Sequence, residues 1–334
     1  MTFLSDKTLG RLYGSEAPDL SGTRYRLCEL IARGGMGAVY VAEDEKLSRR
    51  VALKVLDTLD ANGDLTARLT REARILAQLE HPGIVPVHDV GALPDGRVYY
   101  TMKLVRGCRL DKHVAQLDSL PQRLRLFLRV CDAVAFAHAR GVVHRDLKPA
   151  NIMIGSFGEV LVMDWGLAKI WGEREVTVGE KIFISSPKAE PENPSTESTV
   201  ITGRGTVMGT PGYMSPEQAR GDTQEIDLRS DIFSLGTLLT FIAAGGVQGK
   251  SPALPRALLA ISVKASAENP SGRYANVSQL SGDLSLYMDG QPVSVYSENF
   301  FERFGRFFKR HQVAILLITA YLIMRVLVLF FFHR

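Results

Sequence analysis

The chain has 334 residues, of which 46% are apolar and 23% charged. That globular composition excludes a disordered or collagen-like chain and allows one large or two ordinary domains. A formal net charge of +4 without long basic runs outside the C-terminal region makes no case for nucleic acid. The three cysteines, Cys28, Cys108 and Cys131, are odd in number and lack CxxC spacing, so they predict small hydrophobes in a reducing compartment, not disulfides or zinc ligands.

At the N-terminus Asp6, Lys7, Arg11 and Glu16 interrupt any apolar run, so no secretory signal is expected and residues 1–24 are a leader. From Tyr25 to Lys54 apolar and polar positions alternate around a glycine cluster, which predicts a hairpin of strands. In Ala32-Arg33-Gly34-Gly35-Met36-Gly37-Ala38-Val39 the glycines would let backbone N–H groups approach phosphate oxygens with no side chain in the way. Val51-Ala52-Leu53-Lys54 follows at hairpin distance and sets a lysine on the next strand. Taken singly, such a lysine is an ordinary solvated cation.

Thr66 to Leu79 has the spacing of an amphipathic helix and carries Glu72. Strand patterns return near Val85–Val90 and Val98–Leu104. Leu126, Val130, Ala133, Val134 and Ala137 recur every three or four residues and predict a helix over Leu124–Ala139. The order is therefore a small strand-rich lobe followed by a helical one. Between Gly172 and Gly205 the chain turns to Ser, Thr, Pro, Glu and Lys, the composition of a mobile loop. Helical patterning resumes at Arg229–Ala243 and Pro255–Ala267.

Val313 to Phe332 is almost wholly apolar, and about 20 helical residues cover the roughly 30 Å of a bilayer core. Arg325 opposes insertion by about 2.5–3.5 kcal/mol, but the many Leu, Ile, Val and Phe residues each return about 0.3–0.6 kcal/mol. Lying past the midpoint, Arg325 can also snorkel to the interface. A membrane span is expected, with a buried helix of the folded domain as the alternative. Arg303, Arg306, Lys309 and Arg310 precede the span and only His333 and Arg334 follow it. The positive-inside bias then keeps the N-terminal bulk in the cytoplasm, at the cell membrane, with no extracellular sensor domain. Phe300, Phe301, Phe304, Phe307 and Phe308 interleave with the basic residues, a pattern for an amphipathic segment lying on anionic lipid.

The chemistry concentrates in His144-Arg145-Asp146-Leu147-Lys148-Pro149-Ala150-Asn151, followed by Asp164-Trp165-Gly166. With the glycine cluster, Lys54 and Glu72 in that order, these segments resemble a bacterial eukaryotic-like (Hanks-type) serine/threonine protein kinase. The resemblance covers roughly Tyr25 to Met288 and implies an α+β bilobal fold. The domain would run over residues 25–288, with an N-lobe at about 25–104, a C-lobe at about 105–288 and an activation segment at 164–217. A basic and aromatic juxtamembrane segment, 289–311, and a transmembrane helix, 312–332, complete the layout.

The resemblance also implies roles. Asp146 would be the base and Lys148 a partner of the transferring phosphate, while Asn151 and Asp164 would hold Mg2+, with Mn2+ as an alternative ion. Lys54, held by Glu72, would contact the α and β phosphates. ATP would further meet Ile31, Ala32, Arg33, Gly34, Gly35, Met36, Gly37, Val39, Ala52, the gatekeeper Met102 and the hinge residues Lys103 and Val105. Lys148, and Thr210 in Gly209-Thr210-Pro211-Gly212-Tyr213, match the serine/threonine subclass. Ser215-Pro216-Glu217 stands where the family has Ala-Pro-Glu. Glu217 would pair with Arg273, and Asp231 would be the buried aspartate of the central helix. Thr199, Thr202 and Thr206 lie in the activation segment, where phosphorylation could be read by Arg145.

Three departures stand out. Ala32 replaces the first glycine of the nucleotide loop, Trp165 replaces the usual Phe, and Gly245–Leu254 runs almost directly into the next helix. Helices that commonly help to dock protein substrates are short or missing there. The expected function is transfer of the γ-phosphate of Mg-ATP to serine or threonine hydroxyls of proteins, with autophosphorylation as a switch. The alternatives are a pseudokinase or membrane-bound nucleotide-binding scaffold and, less well supported by Gly209–Glu217, a small-molecule kinase. Expected partners are protein substrates, the bilayer and a homodimer or other membrane partner, without nucleic acid.

Overall fold

The computed structural model describes residues 17–34, 37–56, 63–166, 168–170, 212–221, 225–246, 254–297 and 311–332. Strands β1 (Tyr25–Gly34), β2 (Gly37–Asp44), β3 (Arg49–Val55), β4 (Val87–Ala92) and β5 (Val98–Lys103) form one antiparallel sheet in the order β1-β2-β3-β5-β4. The expected hairpin is thus a three-strand meander. The second reversal is made where the buried Asp44 carboxylate accepts the Leu47 amide at 3.2 Å and Ser48 takes φ 50°.

The period of two along these strands separates structure from chemistry. Ala38, Tyr40 and Ala42 of β2, with Val51, Leu53 and Val55 of β3, pack into an outer cluster that also buries Tyr99 and Leu20. The alternate residues of β3, Ala52 and Lys54, therefore face the other way. Pairing sets Lys54 between Val39 and Tyr100, and Ala52 between Val41 and Met102. Leu20, expected in a leader, is part of this outer core.

Behind the sheet lies α1 (Asp64–Gln78), whose buried face consists of Leu69, Glu72, Ala73, Ile75 and Leu76. The i, i+3, i+4, i+7 spacing explains the apolar members. Glu72 on that face requires partners.

The second lobe is built on α3 (Leu120–Ala139), which starts where the Ser119 side chain accepts the Gln122 amide and Pro121 sits in the first turn. Against it pack α5 (Leu228–Ala243) and α7 (Val277–Met288), and α6 (Arg256–Ala265) packs on both of these. Gly236 lets α5 and α6 approach closely, since a Cβ there would lie 2.8 Å from Ala265 Cβ and from the Ser266 amide nitrogen. A short α2 (Leu110–Val114) and α4 (Pro216–Ala219) flank the core. Two small ladders belong to this second lobe: β6 (Gly107–Arg109) with β8 (Ile152–Gly155) and β9 (Val160–Val162), and β7 (Val142–Val143) with β10 (Lys169–Ile170). One apolar cluster runs continuously from Ala52 and Leu76 through Met102 to Val162, Leu235 and Leu280.

Residues Gln312–Phe332 form α8, 21 residues long, with Leu316, Ile318, Leu322, Met324 and Val326 exposed. The side chains of this helix are described without a break only over 315–329. Among the described residues, no helix is long and apolar enough to cross a membrane.

Candidate active site

Three elements converge on the cleft below the sheet. From β3, Lys54 Nζ reaches both carboxylate oxygens of Glu72 at 2.8 Å. Tyr100 on β5 donates its hydroxyl to Glu72 Oε1 at 2.8 Å. The buried carboxylate is therefore satisfied from two strands. Asp164 Oδ1 lies 3.7 Å from the same ammonium. Burial by itself would lower the Lys54 pKa, but the Glu72 and Asp164 carboxylates outweigh it and hold the ammonium above its ordinary value. Tyr100, buried beside that negative charge, is pushed well up and remains a hydrogen-bond donor.

The loop between β7 and β8 carries the second group. Asp231, in the first turn of α5, is fully buried and accepts the backbone N–H groups of His144 at 2.8 Å and Arg145 at 2.9 Å. His138 Nε2 lies 2.8 Å from the same carboxylate. Burial would raise the Asp231 pKa, but His138 and the backbone donors prevail and keep it low. This anchorage holds Arg145 at φ 70°, a backbone conformation that costs about 1–3 kcal/mol and persists only when its surroundings over-determine it. His144 Nδ1 accepts the Asp146 amide at 3.2 Å, which leaves Nε2 as the donor to the Met163 carbonyl at 2.9 Å. The loop of Asp146 is thereby tied to the strand end before Asp164.

Asp146 Oδ2 lies 2.6 Å from Lys148 Nζ and accepts from Asn151 Nδ2 at 3.0 Å. Asn151 also donates to the Asp146 carbonyl at 2.9 Å. With its nitrogen committed to Asp146, Asn151 is left with an amide oxygen as its acceptor end. That oxygen and the Asp164 carboxylate form a small set of hard oxygen donors, which fits Mg2+ or Mn2+ arriving on phosphates. Asp164 sits at φ 58°. Next to it Trp165 is buried, its ring 4.5 Å from that of His144, and its Nε1–H donates to the Val162 carbonyl at 3.3 Å. The indole is thus buried with its one polar group satisfied.

Where β1 meets β2, Gly34 pairs with Gly37. Gly37 has φ 151°, and a Cβ there would lie 2.2 Å from the Val55 carbonyl oxygen, so no larger residue fits without displacing β3. Ile31, Ala32, Arg33 and Gly34 are exposed along β1, and Val39 packs under the sheet. Met102 is buried at the back of the cleft, with Lys103 exposed and Val105 half-buried beyond it. Gly35 and Met36 lie outside the described residues, as do Thr199, Thr202, Thr206 and Thr210.

Below the catalytic loop, Arg273 Nη1 and Nη2 donate to Glu217 Oε1 and Oε2 at 2.6 and 2.8 Å. Ser230 Oγ donates to Glu217 Oε1 at 2.7 Å. Gln218 Nε2 donates to the Arg145 carbonyl at 2.7 Å, so α4 is pinned directly to the loop that bears Asp146. Tyr100, His138, Gln218 and Ser230 do not stand out in the sequence. Each acts through one long-range contact, and only strand alternation at Tyr100 carries any advance signal.

The protein kinase domain family model matches residues 25–250. The serine/threonine-protein kinase PknD of Chlamydia trachomatis is 36% identical over 305 residues, covering 80% of this chain and 32% of that protein. PknD of Chlamydia pneumoniae is 34% identical over 305 residues, covering 80% of this chain and 31% of that one. The chain thus spans about a third of the length of these relatives. The crystal structure of the Mycobacterium tuberculosis PknI kinase domain superposes with a TM-score of 0.55 at 23% identity, covering 81% of this chain and 98% of that one. On the family model and these relatives, the chain belongs to the protein kinase domain family, among its bacterial serine/threonine (Hanks-type) members.

Proposed function

We propose that this chain transfers the γ-phosphate of ATP to serine or threonine hydroxyls of proteins, and that it does so from a membrane. The observation that carries the activity is the joined constellation: Lys54 closed onto Glu72 at 2.8 Å, with Asp164 3.7 Å from that lysine and Asp146 tied to Lys148 and Asn151. Lys54 orients the phosphates from β3 and remains charged because two carboxylates favour its ammonium. Asp146 accepts the proton of the incoming hydroxyl. Lys148, beside it, compensates charge on the phosphate in flight. Mg2+ on the nucleotide would neutralise charge on the phosphate oxygens, held by Asn151 and Asp164. The Asp231 anchor and the Gln218 bond fix the loop, so little reorganisation remains for the moment of transfer.

The domain is read as residues 25–288, which is supported by the burial of Leu280 and Leu284 in the main core. Autophosphorylation at Thr199, Thr202 or Thr206 is read as the switch, on the strength of hydroxyl-rich sequence between Asp164 and Glu217. Membrane attachment through residues 312–332 is supported by the apolar sequence, its helical form and the preceding basic cluster. A homodimer or another spanning protein is the partner this attachment favours.

The activity is tested by incubating the full chain with Mg-ATP and a mixed protein acceptor, then analysing phosphoamino acids. Phosphoserine or phosphothreonine absent from an Asp146→Ala control is expected, and equal labelling by that control would refute the assignment. The attachment is tested by alkaline carbonate washing of membranes, where release of the full chain would count against a span.

A further inference from the structure

Between β8 and β9 the chain turns through Ser156, Phe157, Gly158 and Glu159, and Phe157 stands 97% exposed. Among the described residues, the other exposed large apolar side chains of the kinase domain lie between 45% and 60%. The turn is braced to hold this one out. The Gly155 amide donates to the Glu159 carbonyl at 2.8 Å, and the Gly158 amide to the Gly155 carbonyl at 2.9 Å. The Phe157 amide donates to Glu159 Oε2 at 3.1 Å. From outside the turn, the Arg106 carbonyl accepts the amide and the hydroxyl of Ser156 at 3.0 and 3.1 Å, and Arg129 Nη1 donates to the Gly158 carbonyl at 2.7 Å. A ring fixed at the tip of such a turn is pre-organised for a contact.

The charges around the tip are mainly positive. Arg129 keeps its charge, since its bond is to a neutral carbonyl. Arg125 lies one turn earlier on the same side of α3. Both it and Arg106 are exposed and have no ion pair among the described residues. Two carboxylates lie nearby. Glu159 is engaged by the Phe157 amide and, at 3.8 Å, by Lys103 Nζ, while Asp132, exposed on the next turn of α3, stands against the three arginines. A cationic rim around one apolar point complements anionic headgroups above acyl chains. A stable protein partner would require a wider contiguous apolar core than a single ring. The sequence repeats the same mixture of Phe and basic residues over Phe300–Arg310, directly before the apolar stretch.

We propose that the β8–β9 turn docks the kinase domain on an anionic bilayer surface, with Phe157 inserted at the boundary of headgroups and acyl chains and Arg106, Arg125 and Arg129 facing lipid phosphates. The inference rests on the membrane attachment read above. Once residues 312–332 hold the chain at the bilayer, the turn meets lipid at high effective concentration, so a contact too weak to recruit a free domain is enough. Docking then fixes which way the tethered domain faces.

The test uses the full chain in phosphatidylcholine vesicles, with or without about one-third phosphatidylglycerol, and Phe157→Trp as the reporter. Emission beyond that of the parent, whose own indoles are Trp165 and Trp171, belongs to the new side chain. In the anionic vesicles, lipids brominated near the headgroup end of the acyl chain should quench this added emission, and about 1 M salt should reverse the quenching. Phosphatidylcholine alone should leave it unquenched. Arg106→Glu combined with Arg125→Glu should remove the quenching, while phosphorylation of a soluble acceptor in detergent stays at the parent level. If the chain floats with anionic vesicles and its added emission is untouched by brominated lipid, the docking is overturned. Shielding from aqueous iodide in that case would assign the face to a protein instead. Equal quenching in both lipids, or no effect of the two charge reversals, would overturn the assignment to anionic headgroups. Failure of the parent chain to float with either kind of vesicle would instead overturn the attachment on which the docking rests.

Discussion

Glu217 and Arg273, 56 residues apart in sequence, meet as a two-pronged ion pair at 2.6 and 2.8 Å with neither side chain accessible to solvent. Arg273 also donates to the carbonyls of Ala267, Glu268 and Arg229. The pair thus connects the segment below the catalytic loop to the turns around α6. Removing one partner leaves a buried charge uncompensated, so Arg273→Ala should lower unfolding free energy by about 3–5 kcal/mol. Urea denaturation of parent and variant measures it, and a change below about 1 kcal/mol would deny the pair its structural role.

The same pair sets a pH dependence. Burial would raise the Glu217 carboxyl, but hydrogen bonds from Arg273 and Ser230 bring it from an ordinary 4.5 to about 2. A folded-state pKa below the unfolded one contributes stability that is present above about 4.5 and is lost as pH falls toward 2. Parent protein should therefore lose stability across that window, and Glu217→Gln should show a shallower slope there. Parallel slopes from thermal melts between pH 5 and pH 3 would contradict the assignment.

Tyr100 is the test of how much the Lys54–Glu72 contact depends on its surroundings. Tyr100→Phe removes the donor to Glu72 Oε1 without changing shape. A net hydrogen bond is worth about 0.5–1.5 kcal/mol, so kcat/KM should fall about two- to tenfold. Lys54→Met should fall about a hundredfold or more, because it removes the charge that orients the phosphates. Equal effects from both substitutions would show that the hydroxyl does more than support Glu72.

How far the sequence disclosed this site follows from physical range. Lys54, Asp146, Asn151 and Asp164 stand out because phosphoryl transfer requires those residue types in that order, and the structure sets Lys54 beside Asp164 and Asn151 beside Asp146. The helices α1, α3 and α5 fell within a few residues of their periodic segments because each buries one long face. The strands β6 and β9, with three residues each, are too short to display a period. Helix α7 is rich in serine and contains Gly282, so propensity argues against it. Its formation depends on burying Leu280 and Leu284, and on the N-cap bond from the Gln279 amide to Asn276 Oδ1 at 3.0 Å. The bonds from Gln218 to the Arg145 carbonyl and from Tyr100 to Glu72 bridge 73 and 28 residues and leave no local trace.

Gly37 gives a prediction about the nucleotide loop. Its φ is 151°, and a methyl group on its Cα would come within 2.2 Å of the Val55 carbonyl oxygen. Gly37→Ala must therefore move β2 away from β3, where Ala38 pairs with Val55. Strain of about 1–3 kcal/mol should appear as a roughly 5- to 150-fold rise in Kd for the nucleotide. Isothermal titration with a non-hydrolysable ATP analogue gives the comparison, and unchanged affinity would mean that the loop tolerates the shift.

The central claim is that Asp146, held by Lys148 and Asn151, accepts the proton of the attacking hydroxyl. Its most direct test is the rate of phosphate transfer by Asp146→Asn in the full chain, measured beside ATP affinity. General-base catalysis contributes about 10²–10⁴-fold, so the rate should fall by that factor while ATP binds within about threefold of the parent. A variant that retains most of the parent rate would contradict the account.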